Sequence, residues 1–135
     1  MLEIGAMKFR SLLIAAGALI ALASGMFYKR GLELDESYDQ KMFVAYALQS
    51  SGDLRKKIET EILRSGDVEM KSDLPSGGGE KFRIDFSRVT RDGSILAFSR
   101  SSKVVVLIEP KMHAGKVTWY CSGYPREAIP ASCGQ

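Results

Sequence analysis

The sequence predicts an α+β fold, an N-terminal helix packed on a four-stranded antiparallel sheet, and three observations carry that reading. Apolar residues recur at spacings of three and four from Val44 to Ile62, the period changes to two after Lys81, and turn signals then separate several short apolar runs. One helix followed by a meander buries its apolar stripe by lying across one face of the sheet. At 135 residues, with 45% hydrophobic and 26% charged side chains, the chain is the size of one domain with its own core, which excludes wholesale disorder and a fibrous repeat.

The helix opens at a capping-box pattern, Ser37-x-x-Gln40, whose side chains can satisfy the first free backbone donors. Val44, Ala47, Leu48, Ser51, Leu54, Ile58 and Ile62 form its stripe, and Gly52 within it costs about 1 kcal/mol relative to Ala. Arg64 in the last turn and Gly66 just beyond it stop the helix near Ser65. Asp67 to Glu80, with Pro75 and the triplet Gly77-Gly78-Gly79, is a connector. It is no phosphate cradle, because Glu80 and a strand follow the glycines where a Gly-Lys-Ser or Gly-Lys-Thr and a helix are needed.

Phe82, Ile84 and Phe86 alternate with Arg83, Asp85 and Ser87, which predicts a strand with the three apolar residues on its buried face. Asp92-Gly93 marks a hairpin turn, Ile95 to Ser99 a second strand, and Arg100 to Ser102 a short connection. Lys103 to Glu109 is the most β-branched run and ends at Pro110; after His113-Ala114-Gly115, Lys116 to Cys121 supplies a fourth strand.

Ser11 to Tyr28 is an 18-residue run without a charged side chain, about 27 Å as a helix and just able to span a bilayer. Lys8 and Arg10 before it and Lys29 and Arg30 after it tie the positive-inside count. A competing reading takes Leu12 to Leu22 as the core of a signal peptide and Ala21-Leu22-Ala23 as its cleavage site. Continuation of the run through Met26, Phe27 and Tyr28 favours the anchor. Either way residues 1–30 form a membrane anchor or signal segment, 31–36 a polar linker, and 37–135 the globular domain, placed outside the cytoplasm.

The net charge of +3 comes entirely from the flanks of the apolar run; from Gly31 to Gln135 fifteen bases meet fifteen acids. A nucleic-acid partner therefore draws no support from net charge. Within that neutral stretch, Glu33 to Asp73 carries ten acids against six bases and Lys81 to Lys103 six bases against two acids. Such asymmetry suits contacts between copies or an anionic partner at the sheet, or simply two solvated faces that neutralise each other.

Cys121 and Cys133 enclose a segment punctuated by Gly123, Pro125 and Pro130. A disulfide between them contributes about 3 kcal/mol and requires an oxidising compartment; the alternative is two free thiols in a cytosolic protein. Two cysteines and the lone His113 do not make a zinc site, and no metal or other cofactor is expected. No serine has nucleophile-elbow spacing, no carboxylates pair, and His113 lies in a turn, so the reading is not an enzyme. Trp119 belongs to the core. Ser122, Gly123, Tyr124, Pro125, Arg126 and Glu127 are the candidate partner-binding loop.

The run Val104-Val105-Val106-Leu107-Ile108-Glu109-Pro110, then Gly115-Lys116-Val117-Thr118-Trp119-Tyr120-Cys121, then Ile129-Pro130-Ala131-Ser132-Cys133 resembles the ending of the type IV pilins. Tyr38-Asp39-Gln40 and Ala47-Leu48-Gln49-Ser50-Ser51-Gly52-Asp53-Leu54 are similar to the exposed half of the long pilin helix, so the likeness covers about Tyr38 to Cys133. The resemblance implies a long helix crossed by a four-stranded sheet, Cys121 and Cys133 as the disulfide pair, and Ser122 to Ser132 as a displayed loop. It also implies other pilin subunits or pilus assembly proteins as partners, the inner membrane as an anchor through residues 11–28, and roles in surface attachment, motility or DNA uptake. The chain departs from the family pattern where Gly5 is followed by Ala6-Met7-Lys8-Phe9-Arg10 and no Glu sits in the apolar run, which fits a minor or accessory pilin-like protein. The alternative is a monomeric periplasmic or secreted binding module of the same fold, released by signal peptidase.

Overall fold

A computed structural model of the chain describes residues 25, 26, 28–31, 35–69, 73–75, 79, 80 and 82–133. The chain divides into two units, Met1–Asp35 and Glu36–Gln135. In the first, residues 28–31 are helical, Gly31 included, while most of the apolar run Ser11 to Tyr28 and the expected cleavage motif Ala21-Leu22-Ala23 lie outside the described residues. Among the described residues no helix is long and apolar enough to cross a membrane.

The second unit is α+β. Residues 35–50 form helix α1 and Gly52–Ser65 helix α2. Ser37 lies inside α1 and is not its cap, because the chain is already helical at residue 35. The two helices are joined by backbone hydrogen bonds, Ser51 donating to the Ala47 carbonyl at 3.0 Å and Arg55 to the Ser51 carbonyl at 2.8 Å. Ser51 is buried in the stripe and its hydroxyl donates to the Leu48 carbonyl at 2.8 Å, so a polar side chain enters the core already satisfied. Gly66, in the left-handed conformation at φ 75°, ends α2 with its N–H on the Ile62 carbonyl, as the spacing predicts.

Strands β1 (Phe86–Val89), β2 (Ile95–Ser99), β3 (Val104–His113) and β4 (Lys116–Tyr124) pair antiparallel in chain order. The register Ile95↔Ile108, Ala97↔Val106 and Ser99↔Val104 continues as Ile108↔Cys121 and Pro110↔Trp119. It sets Ile95, Ala97, Val104, Val106, Ile108 and Trp119 on one face, where they form a single core with Phe43, Val44, Ala47, Leu54 and Ile58 of the helices.

Three expectations about the strands also need correction. Phe86 opens β1 on the opposite face, 48% exposed, while Ile84 is buried and Phe82 half-buried. The chain is irregular through residues 83–85, which breaks the parity that a continuous strand would carry from Phe82. Pro110 does not end β3: the ladder to β2 stops at Ile108, so Pro110 has β4 as its one neighbouring strand, where a missing N–H is tolerated. Strand β4 runs three residues past Cys121, taking Ser122, Gly123 and Tyr124 out of the predicted loop. Gly123 permits this, because a Cβ there would lie 2.1 Å from the Val105 carbonyl oxygen.

The β1–β2 connection is built on Asp92, whose carboxylate accepts hydrogen bonds from the Ser94 hydroxyl at 2.6 Å and from the Thr90 hydroxyl. Those bonds, Ser94 first, hold its pKa below the ordinary aspartate value. The stability they bring is present above about pH 4 and is lost as pH falls through the lowered folded value. Asp92→Asn is expected to be less stable than wild type in urea at pH 7, with the gap narrowing at pH 3. Gly123→Ala is expected to lower stability by about 1–3 kcal/mol, the usual range for overpacking, in the same measurement.

Candidate functional site

The tail after β4 is held at three points. Cys121, half-buried on the core side of β4, is joined to the fully buried Cys133 with their Cα atoms 5.5 Å apart. Between them Arg126–Ala128 makes a 3-10 turn that buries Ala128, with Ala128 N–H on the Pro125 carbonyl and Ile129 N–H on the Arg126 carbonyl, both at 3.1 Å. The third point comes from the helix, where Arg55 Nη1 donates to the Cys133 carbonyl at 3.0 Å and Nη2 to the Leu48 carbonyl at 3.4 Å.

Arg55 is the residue that the sequence did not mark. It sits on the flank of the apolar stripe with its guanidinium carbon 5.9 Å from the centre of the Trp119 ring. Trp119 is 6% exposed, and its indole N–H donates to Glu59 Oε1 at 2.6 Å. A buried Trp needs such an acceptor, and Glu59 lies one helical turn from Arg55, so both polar ends of the cluster come from one helix. No local pattern distinguishes Arg55 from the solvated Lys56 and Lys57 beside it; its role follows from where the tail returns.

With its ends fixed, the tail presents a short exposed surface. Tyr124 is 75% exposed and Arg126 and Glu127 project into solvent, while Pro125 is half-buried after a cis Tyr124–Pro125 bond. The six predicted contact residues are therefore contiguous, Ser122 to Tyr124 on a strand and Pro125 to Glu127 on the turn that follows. Beside them a groove of about 390 Å³ lies between α1 and the tail, lined by Val44, Ala45 and Leu48 on one side and Ala128, Ile129 and Pro130 on the other. His113 is exposed at the β3–β4 turn, and among the described residues no group of three His, Cys, Asp or Glu side chains converges as a metal site.

No protein-family model matches the chain, and no curated protein or solved structure matches it. The functional reading accordingly rests on the residues and their placement.

The native protein is expected to gain the mass of two hydrogen atoms on chemical reduction. The Cys121→Ser/Cys133→Ser variant is expected to lose about 3 kcal/mol of stability in urea, the loop-closure contribution, and to be cleaved by protease between Ser122 and Ser132 while the sheet stays intact.

Proposed function

We propose that this chain is a non-catalytic structural or accessory subunit of a type IV pilus-like filament, acting in surface attachment, motility or DNA uptake. One observation carries the reading: a helix lies along the inner face of a four-stranded meander whose last strand is stapled to the tail by Cys121–Cys133. That is the arrangement the pilin likeness of Tyr38 to Cys133 implies, and it comes with an apolar run, Ser11 to Tyr28, suited to an inner-membrane anchor before assembly. In this reading the globular domain faces the periplasm, the partners are other pilin subunits or assembly proteins, and Ser122 to Glu127 is the surface offered to what the filament touches. The stapling supports it, since a contact surface on a filament must keep its shape under load and outside the reducing cytosol.

The test is to shear cells of the native host and follow the chain by intact mass. Recovery in the sheared filament fraction, with the apolar run retained, is the expected result. A soluble species beginning at Ser24 and absent from every filament fraction would replace this reading with the released binding module.

A further inference from the structure

An aspartate followed by glycine is the pair at which a backbone nitrogen most readily attacks the preceding side-chain carboxyl, because glycine puts no Cβ in the nitrogen's path. The chain has such a pair at Asp92-Gly93, in the turn between β1 and β2. In that reaction the Gly93 nitrogen bonds to Asp92 Cγ, and the amide proton leaves with the carboxyl hydroxyl as water, closing a five-membered succinimide. Water then adds back at one of the two ring carbonyls. Opening at one restores aspartate, whereas opening at the other routes the main chain through the side-chain carbon and gives isoaspartate, with no net change in mass. The backbone is then one atom longer.

The fold requires this glycine. Gly93 is buried with φ 84°, in the left-handed region, and a Cβ on it would lie 2.7 Å from Ile58 Cγ2 and 3.2 Å from Ile62 Cδ1 and Pro110 Cγ. No larger residue fits between α2 and β3. The reactive pair is thus built into the turn, and the atoms around it restrain both reacting groups. The Gly93 N–H donates to the Thr90 carbonyl at 2.9 Å, which holds the nitrogen and shields the proton it must lose. The Asp92 carboxylate accepts from the Ser94 hydroxyl at 2.6 Å and from the Thr90 hydroxyl, and bonds of this kind favour the ionised form. An ionised carboxylate has no hydroxyl to lose. Thr90 N–H donating to the Ser94 carbonyl at 2.9 Å closes the turn around both groups.

We propose that Asp92-Gly93 is a latent site of covalent modification, the formation of isoaspartate, and that the hydroxyls of Thr90 and Ser94 hold it in check in the folded chain. The modification strikes a point where little movement is accommodated. Residues 90–94 are closed by the pairing Val89↔Ile95, so an added backbone atom disturbs the end from which the β1–β2 register is set. It also displaces Gly93 from its place against Ile58, Ile62 and Pro110, and strains the tie from Val68 N–H to the Arg91 carbonyl at 3.0 Å. The inference goes beyond the filament reading and does not depend on it.

The test incubates the full chain, purified in detergent, at neutral pH and physiological temperature. Isoaspartate is followed by chromatographic separation of the isobaric peptides spanning residue 92, with a methyltransferase specific for isoaspartyl carboxylates identifying the product. The folded protein is expected to form it at least about tenfold more slowly than the same chain unfolded in urea, and Ser94→Ala and Thr90→Val each to raise the folded rate about tenfold, the scale of one hydrogen bond to a charged group. Phe43→Leu, which loosens the core at α1 away from this turn, is expected to leave the folded rate unchanged. Equal rates in folded and unfolded wild type would overturn the proposal, as would Ser94→Ala and Thr90→Val proteins that isomerise no faster than wild type. Acceleration by Phe43→Leu to the same degree would also overturn it, since the rate would then report global unfolding and not the release of Asp92.

Discussion

The burial of one helical stripe against one face of the sheet is the contact on which residues 36–133 depend. Phe43, Val44, Ala47, Leu54 and Ile58 meet Ile95, Ala97, Val104, Val106 and Ile108, and nearly all of them are shut off from water. Each large side chain so buried is worth about 1.5–3 kcal/mol, so two of these residues already match the whole contribution of the disulfide. The fold is thus carried by the core, and the disulfide serves the tail. Energetically it matters for what the tail presents more than for whether the helix and sheet come together.

Arg55 links those two levels. A guanidinium in a partly apolar site is tolerated when its donors find acceptors, and here two of them reach the carbonyls of Cys133 and Leu48. Its Nε is buried without a hydrogen-bond partner among the described residues, and the Trp119 ring at 5.9 Å is at the outer limit of a cation–π contact. The site is therefore not optimised for stability alone. Its geometry is explained by the tail: the Cys133 carbonyl returns to the helix surface, and a long side chain from the flank of the stripe reaches it.

Much of this was legible in the sequence because period and punctuation report backbone geometry directly. The stop at Gly66, strand β2, the connection at Arg100 to Ser102 and the buried Trp119 all follow from residues whose local chemistry and tertiary role agree. The misreadings fall where a neighbour overrides the local signal. Gly123 looks like a loop residue, yet it is glycine because the Val105 carbonyl presses on it within the sheet. Pro110 looks like a terminator, yet one of its sides has no strand to bond. Phe86 joins the outer face because residues 83–85 are irregular, and no periodicity confined to Lys81–Ser87 could show it. Arg55 carried no signal at all, since the partners that give it its role lie 78 residues away at Cys133 and across the core at Trp119, with only the Leu48 carbonyl nearby in the chain.

The two faces of the sheet are coupled through the parity of β4. A cysteine that must reach Cys133 from the core side has to point inward, and alternation then turns Tyr120, Ser122 and Tyr124 outward. Gly123 keeps the strand paired long enough for Tyr124 to fall opposite Val105, which completes the row begun by Phe86 and Phe98. The staple and the aromatic row are in this sense one device. Whatever approaches the outer face meets Tyr124 at its edge, and Tyr124 is also the first prominent side chain of the displayed tail. The disulfide at Cys121, the burial of Ala128 and the Arg55 contact fix the tail's backbone, so the strand end that carries Tyr124 and the turn after it keep one relation to the sheet.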